Sequence, residues 1–209
     1  MSAPSPIQAV LLAAGLSTRM GETNKLLLPY RGQPIVRCTA EALLAAGVEG
    51  LVVVTGHDAE AVGRALSGLA LRTVFNPAYR DGQSGSVQVG AAALQPGGDG
   101  IMIALGDMPF LTAADYRLLM EAFRSAGSDR IAVPTFDGER GNPIIIPARL
   151  HDDLVGDGRI GGCRRLIEKR PDDVLRVPVM SSAFVRDVDT PDAYRAEIDD
   201  GAAAAPRCC

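Results

Sequence analysis

AVLLAAGLSTRMGETNKLLLPYRG, residues 9–32, sets a glycine-containing turn and two cations directly behind a short apolar run. The run, with Ile7 in front of it, is bounded by Pro6 and Gly15 and is too continuous for a one-sided surface strand. It has the pattern of a central strand in a parallel sheet covered on both faces. Behind it, Gly15 and Gly21 are expected to take backbone angles closed to other residues, so that main-chain N–H groups approach an anion. Arg19 and Lys25 would add charge-assisted hydrogen bonds to phosphate oxygens. The stretch reads as a polyphosphate cradle at a strand's carboxyl end, where open parallel sheets bind ligands. A turn with exposed charges is the plain alternative.

Two better-known phosphate loops do not fit. A P-loop needs Gly, four residues, then Gly-Lys-Ser/Thr, whereas Gly21 is followed by Glu22, Thr23 and Asn24 before Lys25. The fingerprint Gly-x-Gly-x-x-Gly is broken because residue 17 is Ser17.

Outward from the cradle, Pro34 opens a helical pattern whose apolar face holds Val36, Ala40, Leu43 and Leu44, with Gly47 at its stop. Residues 51–54 form the next buried strand, and a turn through His57 leads to a helix capped by Asp58. His57 either meets a ligand there or satisfies local backbone groups. Residues 71–75 read as a third strand. The polar loop NPAYRDGQSGS, residues 76–86, follows it, and Ser84 either reads a base edge or caps the next helix.

Residues 101–105, IMIAL, read most clearly as a central strand, and Asp107 stands at its carboxyl end. Asp107 either holds Mg²⁺, a hard cation that takes oxygen ligands, or forms an Asx turn before Pro109. Asp187 and Asp189 later in the chain favour the metal, since a second carboxylate completes a clamp. Thr112 caps a helix with a core stripe of Tyr116, Leu119, Met120 and Phe123. Residues 131–134 form a strand, and FDGERGNP at 136–143 leads into residues 144–146. A second glycine-rich turn, residues 156–162, precedes a basic helix with Arg164 and Arg165 that is either a phosphate rest or a solvated face. Residues 174–177 and 184–188 look like late strands, and Thr190, Pro191 and Asp192 start a last helix.

The alternation of strands and helices predicts a single-domain α/β protein, a Rossmann-like three-layer sandwich with a mainly parallel sheet and one antiparallel strand near 144–146. The 209 residues suit one domain over residues 1–200 with a flexible C-terminal tail at 201–209. A composition of 47% hydrophobic and 22% charged residues is that of a globular protein. No apolar run approaches the roughly 20 residues that span a bilayer, so no membrane association is expected. The net charge of −4 argues against nucleic acid as a partner and confines phosphate affinity to a few placed cations. Residues 1–6 carry no secretory pattern, which predicts a cytoplasmic protein. Cys38 and Cys163 lack metal-ligand spacing, and the terminal Cys208 and Cys209 form no prenylation box.

Several motifs now stand in order: LAAGLSTRMG (12–21) with Lys25 and LLLP (26–29), NP (76–77) with GQSGS (82–86), LGDMP (105–109), RGNP (140–143) and DVDTP (187–191). Over residues 7–197 the chain thereby resembles the MobA-like nucleotidyltransferases, most of all their molybdenum cofactor cytidylyltransferase branch. Ala13 and Ala14, in place of an Ala-Gly-Gly opening, resemble the cytidylyl more than the guanylyl branch.

The resemblance implies a fold of the nucleotide-diphospho-sugar transferase type. It also implies transfer of CMP from CTP to the terminal phosphate of molybdenum-molybdopterin, releasing pyrophosphate and forming molybdopterin cytosine dinucleotide. By motif, the nucleotide would meet Leu12, Ala13, Ala14, Gly15, Arg19, Lys25, Gln83, Ser84, Ser86 and Asp107, with Arg19, Lys25 and Asp107 in catalytic roles. Mg²⁺ would be held by Asp107 and Asp189, with Asp187 the second choice for the latter. The acceptor would meet Arg140, Gly141 and Asn142, where Asn142 replaces the family's histidine, and a molybdenum hydroxylase would be the client. Alternatives are GTP or another acceptor such as a sugar phosphate, or a non-catalytic carrier of the finished cofactor.

Overall fold

The structure, a computed structural model, describes residues 6–20, 23–156, 162–192 and 194–195. Gly21 and most of the second glycine-rich turn therefore lie outside the described residues, as does the tail at 201–209. In chain order the elements are β1 (Ile7–Ala13), β2 (Pro29–Tyr30), β3 (Gln33–Pro34), α1 (Ile35–Ala46), β4 (Leu51–Thr55), α2 (Ala59–Ala65), β5 (Arg72–Phe75), α3 (Gln83–Ala92), β6 (Gly100–Leu105), α4 (Ala113–Ser125), β7 (Ile131–Phe136), β8 (Glu139–Arg140), β9 (Ile144–Pro147), α5 (His151–Val155), α6 (Gly162–Lys169) and β10 (Val174–Pro178).

The main sheet runs β10-β7-β9-β6-β1-β4-β5, with β8 hairpinned onto β7. β1 pairs in parallel with both β4 and β6, and β9 is antiparallel to β6 and β7, as the sequence predicts for residues 144–146. Every residue of β1 is buried, and its side chains divide between two cores. Ile7, Ala9, Leu11 and Ala13 enter the layer of α1, α2 and α4, while Val10 and Leu12 enter that of α3, α5 and α6. This is the three-layer sandwich expected of a doubly covered strand.

Local chemistry sets the element ends. Gly47 closes α1 in the left-handed region at φ 89° and donates to Leu43 and Leu44 carbonyls. Thr112 and Asp115 form a reciprocal capping box at the start of α4. Gly90 lets α3 lie close on the sheet, because a Cβ there would stand 2.8 Å from Val54 Cγ2.

Four local expectations need correction. Residues 184–188 are not a strand: a short 3-10 turn, Ser182–Phe184, is followed by irregular chain. Asp58 precedes α2 but makes no capping bond, since its own φ of 52° turns its carboxylate toward Asn24 Nδ2 at 3.3 Å and His57 Nε2 at 3.4 Å. Ser84 lies inside α3, whose N-cap is Gly82, so it caps nothing. Among the described residues of the cradle the left-handed one is Ser17 at φ 52°, not Gly15, which instead leaves open space above its Cα. Among the described residues no helix is long and apolar enough to cross a membrane.

Candidate active site

From β1 the chain builds outward to β4 and β5, then returns to place β6 on the other side of β1. Such a reversal opens a crevice at the strands' carboxyl ends, and a cavity of about 390 Å³ lies there. Leu12, Ala14, Gly15, Arg19, Lys25, Gln83, Ser86, Asp107 and Asp189 line it together. Ala13 does not, because its side chain points into the core beneath.

Two short turns aim the cations. Arg19 sits on the turn Thr18–Met20, closed by Met20 N donating to Ser17 O at 2.8 Å. Lys25 begins the turn Lys25–Leu27, which Asn24 caps by accepting from Leu26 N. Ser17 Oγ accepts from Lys25 N at 3.2 Å, joining the two turns. Gly106 donates to Leu12 O at 2.9 Å, and a Cβ on it would stand 2.9 Å from that oxygen. Glycine at this position therefore lets the end of β6 close against that of β1 and brings Asp107 opposite Lys25. The Val188 amide then donates to Asp107 O at 3.0 Å and staples the Asp187–Asp189 segment to the site.

Lys25 Nζ lies 2.5 Å from Asp107 Oδ2 and 2.5 Å from Asp189 Oδ1, and Arg19 reaches Asp189 Oδ2 at 2.5 Å. Burial alone would lower the Lys25 ammonium, but Asp107 and Asp189 outweigh it and hold it above the usual lysine value. The Lys25 hydrogen bond, aided by the charges of Lys25 and Arg19, keeps Asp189 below the usual carboxylate value against partial burial. Asp187 moves the other way, raised by burial and then by the charges of Asp107 and Asp189. One carboxylate oxygen from each of Asp107, Asp187 and Asp189 lies within 4.8 Å of the others. Asp107 Oδ1 is buried with no hydrogen-bond partner. An all-oxygen donor set with an unsatisfied buried oxygen fits a hard divalent cation.

A second cavity of about 230 Å³ shares Leu12, Gln83 and Leu105 with the first and carries Ser84, Arg140, Asn142, Cys163 and Arg164. Ser84 thus belongs to this second space, whereas Gln83 faces both. Gly141 lines neither: its amide donates to Pro134 O, and a Cβ on it would meet the Phe184 carbonyl. Its neighbour Asn142 donates its own amide to Phe184 O at 2.8 Å. Burial pushes the Cys163 thiol up to about 12 against the lowering effect of Arg140. Ser86 accepts from the buried Asn76 Nδ2 at 3.0 Å, so Asn76 orients it.

Sequence reasoning passed over Tyr79 and Arg80, which wall the first cavity with the guanidinium 5.3 Å from the ring centroid. The signal available was an aromatic-cation pair inside an otherwise polar loop. His57 lines neither cavity.

The MobA-like NTP transferase domain matches residues 9–174. A Paenarthrobacter nicotinovorans protein named nicotine blue oxidoreductase is 31% identical over 192 residues, or 88% of this chain and 92% of its own. A nucleotidyl transferase from Methanothermobacter thermautotroptrophicus shares 28% identity at a TM-score of 0.79, covering 96% of this chain and 99% of that one. A Mycobacterium tuberculosis H37Rv protein solved in complex with manganese shares 27% identity at a TM-score of 0.70, covering 93% and 99%.

Proposed function

This chain belongs to the MobA-like NTP transferase family, and from that premise we propose that it transfers CMP from CTP to the terminal phosphate of molybdenum-molybdopterin. An acceptor phosphate oxygen attacks the α-phosphorus, a new P–O bond forms, and the bond to the departing pyrophosphate breaks. The acceptor phosphate is already ionised, so the protein need supply no strong base, and positioning with charge stabilisation carries the rate. The observation that supports this most is the convergence of Arg19, Lys25, Asp107 and Asp189 on one cavity at the sheet's reversal point.

In this reading Arg19 and Lys25 neutralise the triphosphate and the leaving pyrophosphate. The free amides at the start of α3 add a partial positive charge, and Gln83 and Ser86 orient the base. Asp107 and Asp189, with Asp187 beside them, would hold Mg²⁺, which when bound offsets charge between the reacting phosphates. Arg140 and Asn142 in the adjoining cavity would receive the acceptor, with Leu12 and Gln83 shared between the two substrates. A cytoplasmic enzyme working with a molybdenum hydroxylase client completes the proposal.

Label position tests it. CTP labelled at the α-phosphorus should pass its label to the acceptor, and CTP labelled at the γ-phosphorus should not. A second reading, oxidoreduction of nicotine blue, takes its support from the Paenarthrobacter relative. Reduction of nicotine blue by the purified chain at the expense of a reduced nicotinamide, without label transfer from CTP, would favour it.

A further inference from the structure

We infer that Asp189 acts in the free protein as an internal stand-in for the triphosphate, and that its release couples nucleotide binding to metal binding. The inference rests on the phosphate-cradle reading above. Both cations of the cradle are engaged by this one carboxylate, Lys25 on Oδ1 and Arg19 on Oδ2. Both oxygens of Asp189 are thus already engaged by cations, and each cation already has a carboxylate partner.

Each ligand undoes the contact that blocks the other. A divalent cation drawing Asp189 away leaves Arg19 and Lys25 for phosphate oxygens. A triphosphate taking those cations leaves Asp189 for the metal. Linkage makes the two effects equal in free energy. Asp107 differs from Asp189: one of its oxygens bonds Lys25, while its buried Oδ1 has no partner and offers a first foothold to a cation. The moving parts are placed to move. Asp189 lies on irregular chain with its side chain 35% exposed, and Arg19 is 70% exposed. Lys25, at 13% exposed, is the fixed member that both carboxylates share.

The consequence is selection for the metal complex of the nucleotide. An uncomplexed triphosphate must displace Asp189 with no metal to receive it, so its apparent affinity falls by the fraction of molecules in which the cradle is open. The cradle thus discriminates by metal loading as well as by shape.

Calorimetric titration with inorganic tripolyphosphate in EDTA tests this on the full chain, because that probe carries neither base nor acceptor. Asp189→Asn and Asp189→Ser should each bind it at least about tenfold tighter than the parent, the scale of one lost charge-assisted competitor. Asp187→Asn removes a neighbouring negative charge that pairs with neither cation of the cradle, and should tighten binding clearly less than either Asp189 variant. Equal or weaker binding by both Asp189 variants would overturn the inference. Equal tightening by Asp187→Asn would overturn it too, leaving general repulsion in place of contact exchange. If no form bound tripolyphosphate with or without Mg²⁺, the cradle reading would fall with it. If binding held but the Asp189 variants matched the parent, the coupling alone would fall.

Discussion

At the scale of single residues, the charges of the site centre on Lys25 and the carboxylates around it. Asp107→Asn should lower turnover by about a hundredfold or more, the range for removing a group aimed at transition-state charge. Folding should suffer far less, because Lys25 keeps Asp189 as a partner. A net loss of about 1 kcal/mol would move a thermal midpoint by roughly 2–4 °C. Steady-state kinetics beside a melting curve checks both halves. Loop charge and family resemblance single out Arg19, Lys25, Asp107 and Asp189 in the sequence, and the structure brings all four to one cavity. Their pairing is not legible in the sequence, since Asp189 stands 164 residues from Lys25 and meets it only through the crossover that sets β6 beside β1. Gly15 departs from expectation for a related reason. Glycine advertises left-handed backbone, but here Ser17 adopts it, and its hydroxyl joins the two turns of the cradle.

At the scale of elements, β1 and β6 were readable because burial on both faces leaves an unbroken apolar run, and α4 because its cap and stripe agree. Residues 184–188 misled because Phe184 and Val188 are both buried, as strand residues would be, yet in different places. Phe184 joins the main core, while Val188 packs with Tyr30 and Ile35. The segment is held by separate bonds, Asn142 N to Phe184 O and Val188 N to Asp107 O, and not by a ladder. A sequence window sees the apolar spacing but not the missing neighbour. The approach of α3 to the sheet gives a prediction at this scale. Gly90→Val should destabilise the fold by about 1–3 kcal/mol through overpacking against Val10 and Val54, readable by urea denaturation. Loss of activity should follow, since α3 carries Gln83, Ser84 and Ser86 to the two cavities.

At the scale of the whole molecule, the two cavities share a wall at the point where the sheet reverses. The fold class and the antiparallel β9 were both legible, because alternation of elements and the loop before residues 144–146 leave few ways to complete the sheet. The acceptor is less legible because Asn142 departs from the family's histidine, and an amide keeps the hydrogen bonding of an imidazole but not its acid-base chemistry. A nucleotide that fills the first cavity should protect the entire fold. At a hundred times its dissociation constant it contributes about 2.7 kcal/mol, which differential scanning would register as a raised midpoint. The most direct measurement is pyrophosphate release by the purified protein with Mg²⁺, molybdenum-molybdopterin and each of the four nucleoside triphosphates in turn. Release with CTP, and only when the acceptor is present, is the expected result. No release with any of the four, from protein that binds both CTP and the acceptor, would contradict it.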